Sequence, residues 1–328
     1  MDRFNKVPHD EDDHENPWRS PHPGVGWGAC SDTSGPNSGV PIGAVTQLGD
    51  LVVPRASHVA TALPNGLVLL TGGGTPESPL RAAELYDPAN GRSRAIQPLL
   101  HARMGHSATL LPTGEVLIVG GFGSGLEGAS TTELFDPNTE TFRTASALVA
   151  PHGDGHAAVR LTNDKILILG GDLSGTGRTP TAAAELYDPI TGEFSVTSPM
   201  RLPRRAFGVV LLRDGRVLVA GGTTSNQAVT GAAELYDPAT GRFTATGSLR
   251  TARHKHAGVV LSDSRVLIVG GTTGGDDTNT LTSAEVYDPE TGEFTPASSL
   301  LDARYKFSAV TLPNGWTLAY GGSLGSWK

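Results

Sequence analysis

Short apolar runs punctuated by turn residues dominate the chain from about residue 58 onward. In Gly105–Gly121, G-H-S-A-T-L-L-P-T-G-E-V-L-I-V-G-G, two such runs flank a Pro-Thr-Gly turn, and the second stops at a glycine pair. This pattern predicts a β-hairpin. The unit recurs: glycine pairs begin at Gly72, Gly120, Gly170, Gly221, Gly270 and Gly321, spaced 48, 50, 51, 49 and 51 residues apart. After each of the first five comes a further pattern, A-E-L-Y-D-P at 83–88, 184–189 and 233–238, T-E-L-F-D-P at 132–137 and A-E-V-Y-D-P at 284–289. A turn follows, and then Phe142, Phe194, Phe243 or Phe294, with Ser93 in the first copy. Each unit therefore predicts four short strands.

Such a unit cannot bury both faces alone, and units packed radially solve that problem. The period, the glycine pair, the Tyr about fourteen residues on and the final aromatic resemble the Kelch repeat, with Phe where Kelch repeats usually carry Trp. The resemblance spans roughly residues 45–328. It implies an all-β fold, a six-bladed Kelch-like β-propeller. The sixth hairpin, Ser308–Gly322, has only six residues after it, whereas V-T-Q-L-G-D-L-V-V-P-R (45–55) aligns with F-T-A-T-G-S-L-R-T-A-R (243–253). The last blade is therefore expected to be closed by strands from both termini. Residues 31–328 form the propeller in this reading, and residues 1–30, acidic and containing His, Pro and Trp, form an amino-terminal arm.

Strand alternation puts the links between blades and the loops after the glycine pairs on one face, with the tight turns on the other. The turns are nearly uniform, so chemistry is expected on the varied face. The links read R-A-S-H (55–58), R-M-G-H (103–106), P-H-G-D-G-H (151–156), R-R-A-F (204–207), R-H-K-H (253–256) and R-Y-K-F (304–307). His58, His106, His156 and His256 hold equivalent places at the start of the innermost strand, and Phe207 and Phe307 fill the other two. Four imidazoles around one axis are candidate metal ligands, for copper or iron before zinc. An architectural role in the blades is the other reading of the same histidines. The third link has lost its Arg and gained His152 and Asp154, and the fifth adds His254. These three, with Lys255, Tyr305 and Lys306, are candidates for proton transfer or substrate contact. Arg205, Met104, Phe207 and Phe307 are candidates for the substrate wall, and Asp172, Asp276 and Asp277 lie in loops on the same face. The recurrent Arg (55, 103, 204, 253, 304) and Glu (84, 133, 185, 234, 285) are read as a blade-to-blade ion pair, since repetition suits structure better than catalysis.

Composition narrows the partners. A formal net charge of −8 argues against nucleic acid or an anionic membrane surface. Cys30 is the only cysteine, no run is long enough to span a membrane, and the amino terminus lacks the apolar core of a secretory signal, so a cytoplasmic monomer is expected. No Walker motif or dinucleotide fingerprint is present, and the Gly-rich segments at 120–128 and 170–177 precede strand rather than helix, so no nucleotide cofactor is expected.

The Kelch resemblance implies several activities: copper radical oxidation as in galactose oxidase, sugar epimerisation, iron-assisted product specification, or peptide binding. The lone Cys30 lies outside the blades, which leaves the galactose oxidase Cys–Tyr crosslink without support. The leading expectation is a metal-dependent enzyme acting on a small molecule at the channel mouth. The alternatives are a metal-free isomerase or lyase using the same His, Tyr and Lys groups, and a module that binds a peptide or protein.

Overall fold

A computed structural model describes residues 50–123, 130–173, 179–274, 278–312 and 314–323. Among them, five sheets have four antiparallel strands each, and a sixth has two. These are the six blades of a propeller. The innermost strands are Val59–Ala62, Ser107–Leu110, His156–Arg160, Gly208–Leu211, Ala257–Val260 and Ser308–Thr311, and each touches the next in series. Blade order is thus chain order.

Burial falls from the second strand outward, as the residue pattern requires. The second strands, such as Val116–Val119 and Ile166–Gly170, are continuous apolar runs and are buried on both faces. In blades two, four and five the third strand buries the Glu, the apolar residue and the aromatic of the motif, as in Glu133–Phe135, while Tyr86 and Leu186 of blades one and three are half-buried. The fourth strands, such as Arg242–Ala245, bury little beyond their Phe. Within blades two to five the two aromatics pack against each other at a tilt of 44–51°, with ring centroids 4.8–4.9 Å apart. The core lies in the seams: Leu69, Leu85 and Leu99 of blade one pack with Val116, Ile118, Phe135 and Phe142 of blade two. Equivalent clusters fill the following seams. Of the sixth blade, the described strands are Ser308–Thr311 and Thr317–Tyr320. The strands expected to complete it from residues 31–45 lie outside the described residues, as does the arm at 1–30.

Two devices fix the links between blades. The second glycine of each pair donates its N–H to the Arg carbonyl, or the His152 carbonyl, of the next link: Gly73 to Arg103, Gly121 to His152, Gly171 to Arg204, Gly222 to Arg253 and Gly271 to Arg304, at 2.8–3.2 Å. The first glycine has positive φ, and a Cβ on Gly170 would lie 2.6 Å from the Arg204 oxygen, so only glycine fits. The second device is a buried clip. Arg103 donates to Gly120 O and to Glu133, Arg204 to Gly221 O and Glu234, and Arg253 to Gly270 O and Glu285; Arg55 pairs with Glu84 likewise. The same Glu accepts two consecutive backbone N–H groups of the link, such as those of Leu100 and His101 on Glu133. Arg and Glu belong to one repeat, so the pair fastens the incoming link onto its own blade instead of bridging two blades directly.

Candidate functional site at the channel mouth

Each link ends in two consecutive residues that behave differently. The first lies on the rim of the channel mouth. Ser57, Ala206, Lys255 and Lys306 have φ of 53–55°, and Gly105 and Gly155 have φ of 62° and 75°. All six are in the left-handed region, which a side chain makes costly. Rim backbones bond from blade to blade: Gly105 N–H to Ser57 O, Ala206 to Gly155 O, Lys255 to Ala206 O and Lys306 to Lys255 O, at 2.7–3.3 Å. Asp154 breaks the uniformity, because its carboxylate occupies the space that a side chain on Gly105 would need.

The residue after the rim turns away into the seam. The rings of His106, His156, Phe207, His256 and Phe307 lie against the first glycine of the preceding pair; a Cβ on Gly72 would be 2.8 Å from His106 Cε1, and one on Gly170 2.5 Å from Phe207 Cε1. His106 Nε2 shares a 2.9 Å hydrogen bond with Thr71 Oγ1. His156 donates from Nδ1 to Gly153 O at 2.8 Å, and Nε2 accepts from Ser107 Oγ at 2.9 Å. Burial holds these imidazoles neutral: His156 is lowered to about 4 and His256 to about 3, and His106 is well below its ordinary value. His58 is lowered too, by burial and then by Arg55.

The candidate metal ring is therefore dispersed over separate seams, its nitrogens bonded to hydroxyls and carbonyls or packed on glycine. Among the described residues no three His, Cys, Asp or Glu are grouped to hold a metal ion. The four imidazoles, each in its own seam, form no such group. Phe207 and Phe307 fill the same seam position and form no wall at the mouth.

The other candidates separate as clearly. His152, fully buried, stands where the other repeats have Arg: Nδ1 donates to Gly170 O at 2.7 Å, and Nε2 lies 3.3 Å from Glu185 Oε1. It reaches the same two partners as the Arg clips. Glu185, whose burial opposes its charge, is nonetheless held below its ordinary value by His152 and by the N–H groups of Val149 and Ala150. His254 is fully buried and donates from Nε2 to Gly274 O at 2.8 Å, a contact beneath the rim. Met104 lies over Gly74 of blade one. Asp172 is buried and accepts the Thr179 N–H. Asp276 and Asp277 are outside the described residues.

What remains at the mouth is a polar arc on blades four to six. Lys255 and Lys306 each place Nζ 5.9 Å from the centroid of the Tyr305 ring. Arg205 joins from the neighbouring blade, with Nη1 3.6 Å from Asp154 Oδ2 and Nη2 3.4 Å from Gln227 Oε1. Gln227 and the rim role of Ser57, Gly105, Gly155 and Ala206 are not anticipated from the motifs. The signal was present in Gly105 and Gly155, glycines at the place that Lys255 and Lys306 occupy, which mark a left-handed position.

Comparison with known proteins agrees with this architecture. Residues 253–301, the link into blade five and that blade's strands, match the Kelch motif family model. The solved structure of YjhT superposes with a TM-score of 0.67, covering 84% of this chain and 93% of that one at 15% sequence identity, a likeness of fold. No curated protein matches in sequence. The chain is a six-bladed propeller, and its fifth repeat matches the Kelch motif. Among the described residues no helix is long and apolar enough to cross a membrane.

Proposed function

We propose that the chain is a ligand-binding propeller whose site is the loop-face mouth on blades four to six, and that a small polar molecule sits there on Arg205, Lys255, Tyr305 and Lys306. One observation carries this reading: two adjacent rim positions hold lysine in a left-handed conformation where two other repeats have glycine. Strain kept where a relaxed residue is available marks a site. On the opposite face Glu140, Asp164 and Ser264 also replace glycine at left-handed turn positions, but each on a different blade, whereas Lys255 and Lys306 are adjacent and share the Tyr305 ring; the histidines serve as seam fillers.

The test is a thermal-shift screen of the full chain against a panel of small metabolites, run in parallel on Lys255→Gly/Lys306→Gly. A ligand at 100 times its Kd adds about 2.7 kcal/mol to stability. The reading requires at least one compound that stabilises the native protein and not the variant. Compounds that stabilise both equally place the site elsewhere on the molecule.

A second reading, acid–base catalysis without a metal, is favoured by the two ammonium groups that flank the Tyr305 ring. Under it, Tyr305→Phe keeps ligand binding and abolishes turnover of an isomerisable or eliminable ligand. Unchanged turnover removes the enzyme reading and leaves binding.

A further inference from the structure

Five of the six links carry an arginine at the clip position, and the third carries His152 instead. The side chains of Arg55, Arg103, Arg204 and Arg253 are fully buried against the Glu of their own blades, so this place in the repeat is built to hold a buried cation. His152 is buried to the same degree. Its Nδ1–H donates to Gly170 O at 2.7 Å, which leaves Nε2 as the nitrogen 3.3 Å from Glu185 Oε1, at ion-pair distance though off the line of a hydrogen bond. Glu185 accepts the N–H of Val149 at 2.8 Å and of Ala150 at 2.6 Å. Burial opposes its charge, yet His152 and those two bonds hold its carboxyl below the ordinary value, so an anion faces Nε2. A neutral imidazole turns a lone pair toward that anion, whereas an imidazolium presents an N–H to both partners.

We propose that the third link is a proton-operated latch: with His152 protonated it is clipped to Glu185 as other links are clipped by arginine, and with the proton lost it loosens from its blade. Guanidinium keeps its charge at every physiological pH, whereas imidazole gives up its proton within that range. A histidine that meets a carboxylate on folding contributes stability that is present at low pH and lost as pH rises. That direction is opposite to that of the seam imidazoles. His156, whose ring centroid lies 6.3 Å from that of His152, is lowered to about 4 by burial and then by His152, so it stays neutral while the latch works. Arg103, which also acts on His156, keeps its charge against Glu133. Asp172 meets the link through its carbonyl, which accepts the Gly153 N–H, and its carboxylate takes the Thr179 N–H. The rim is also broken at this link. Gly105, Ala206, Lys255 and Lys306 each donate a backbone N–H to the rim residue before them, but among the described residues Gly155 donates none to Gly105. Asp154, two residues past His152, holds its carboxylate over Gly105 and 3.6 Å from Arg205, so the latch sets whether that carboxylate stays at the rim.

The experiment is hydrogen-exchange mass spectrometry of the full chain between about pH 6 and about pH 8, where imidazole titrates. Peptides that cover Val149 and Ala150 report the third link. Peptides that cover Arg201 and Leu202, whose N–H groups bond Glu234 in the same way beside a permanent Arg204 clip, are the internal reference for the ordinary rise of exchange with pH. The ratio of third-link to fourth-link exchange is expected to rise at least about threefold over that range in the native protein. In His152→Arg the ratio is expected to stay level. His152→Gln, uncharged throughout, is expected to give a level ratio too, and it carries the test if circular dichroism shows that the arginine variant does not fold. A level ratio in the native protein, or the native rise in a folded variant, overturns the proposal. The readout does not depend on what binds at the mouth.

Discussion

Lys255 and His256 are consecutive in the chain and belong to different layers of the molecule. Lys255 stands on the rim, partly exposed, with φ of 53° and its N–H on the carbonyl of Ala206. His256 is 9% exposed, neutral, and packed on glycines 208, 221 and 271. The same split recurs at Gly105 and His106, and at Lys306 and Phe307. In the seam layer imidazole and phenyl are interchangeable, because the space is a gap between blades and the partners are glycine and an occasional hydroxyl. In the rim layer the residues range from glycine to lysine. A repeat fold can therefore hold its architecture constant and vary its chemistry one residue away.

The sharpest way to test that separation is to damage the clip beneath the rim. Arg253 is fully buried and carries Gly270 O, Ser283 and Glu285. Arg253→Ala leaves Glu285 as a buried carboxylate that has lost its cation, and is expected to cost about 3–5 kcal/mol. Lys255→Ala, two residues away, is expected to change stability by no more than about 0.5 kcal/mol. Urea denaturation of both variants measures the contrast. Equal losses would mean that the rim is as structural as the clip.

The seam histidines give a smaller effect with a definite sign. In the unfolded chain each titrates near 6.5, whereas in the folded protein His156 is lowered to about 4 and His256 to about 3. The unfolded state thus binds more protons below pH 6.5. Stability is fully present above that value and is lost as pH falls toward 4 and 3, by roughly 2 kcal/mol for each imidazole at pH 5. His256→Phe copies Phe207 and Phe307, faces the small Gly208 and removes that residue's share. Thermal midpoints between pH 7 and pH 5 should fall less for the variant than for the native protein. Equal falls would mean that His256 charges without unfolding.

These two layers also show what the chain alone discloses. The glycine pairs, the turn residues and the E-L-Y-D-P pattern are local signals, repeated, and each reports a backbone or packing need; the six blades and the Arg–Glu architecture follow from them. The direction of a side chain at a strand entrance is not local in that sense. Whether His106 faces the axis or the seam depends on the positive φ of Gly105, and where glycine is replaced by Lys255 or Ala206 the residue type conceals the conformation. His152 shows a second limit. Its appearance together with Asp154 and an added residue suggests chemistry at the mouth, yet its contacts are those of the Arg clip, and that equivalence needs Glu185 in three dimensions. Lys255, Tyr305 and Lys306, singled out as departures from the repeat, do come together at the mouth.

The smallest effect is also the most specific to the rim. A side chain in the left-handed region costs about 1 kcal/mol relative to glycine, and Gly105 and Gly155 show that the rim accepts glycine. Against that gain, glycine raises the entropy of the unfolded chain. The net expectation for Lys255→Gly and Lys306→Gly is a gain of about 0.5 kcal/mol each, read as a rise in the urea midpoint at unchanged slope. Ordinary surface lysines changed to glycine lose stability, so the sign alone is informative. If stability rises while ligand response disappears, the lysines are kept at the expense of the fold, as a binding residue is. If stability falls, the two side chains make contacts that outweigh their backbone strain, and the rim lysines join the seam histidines as architecture.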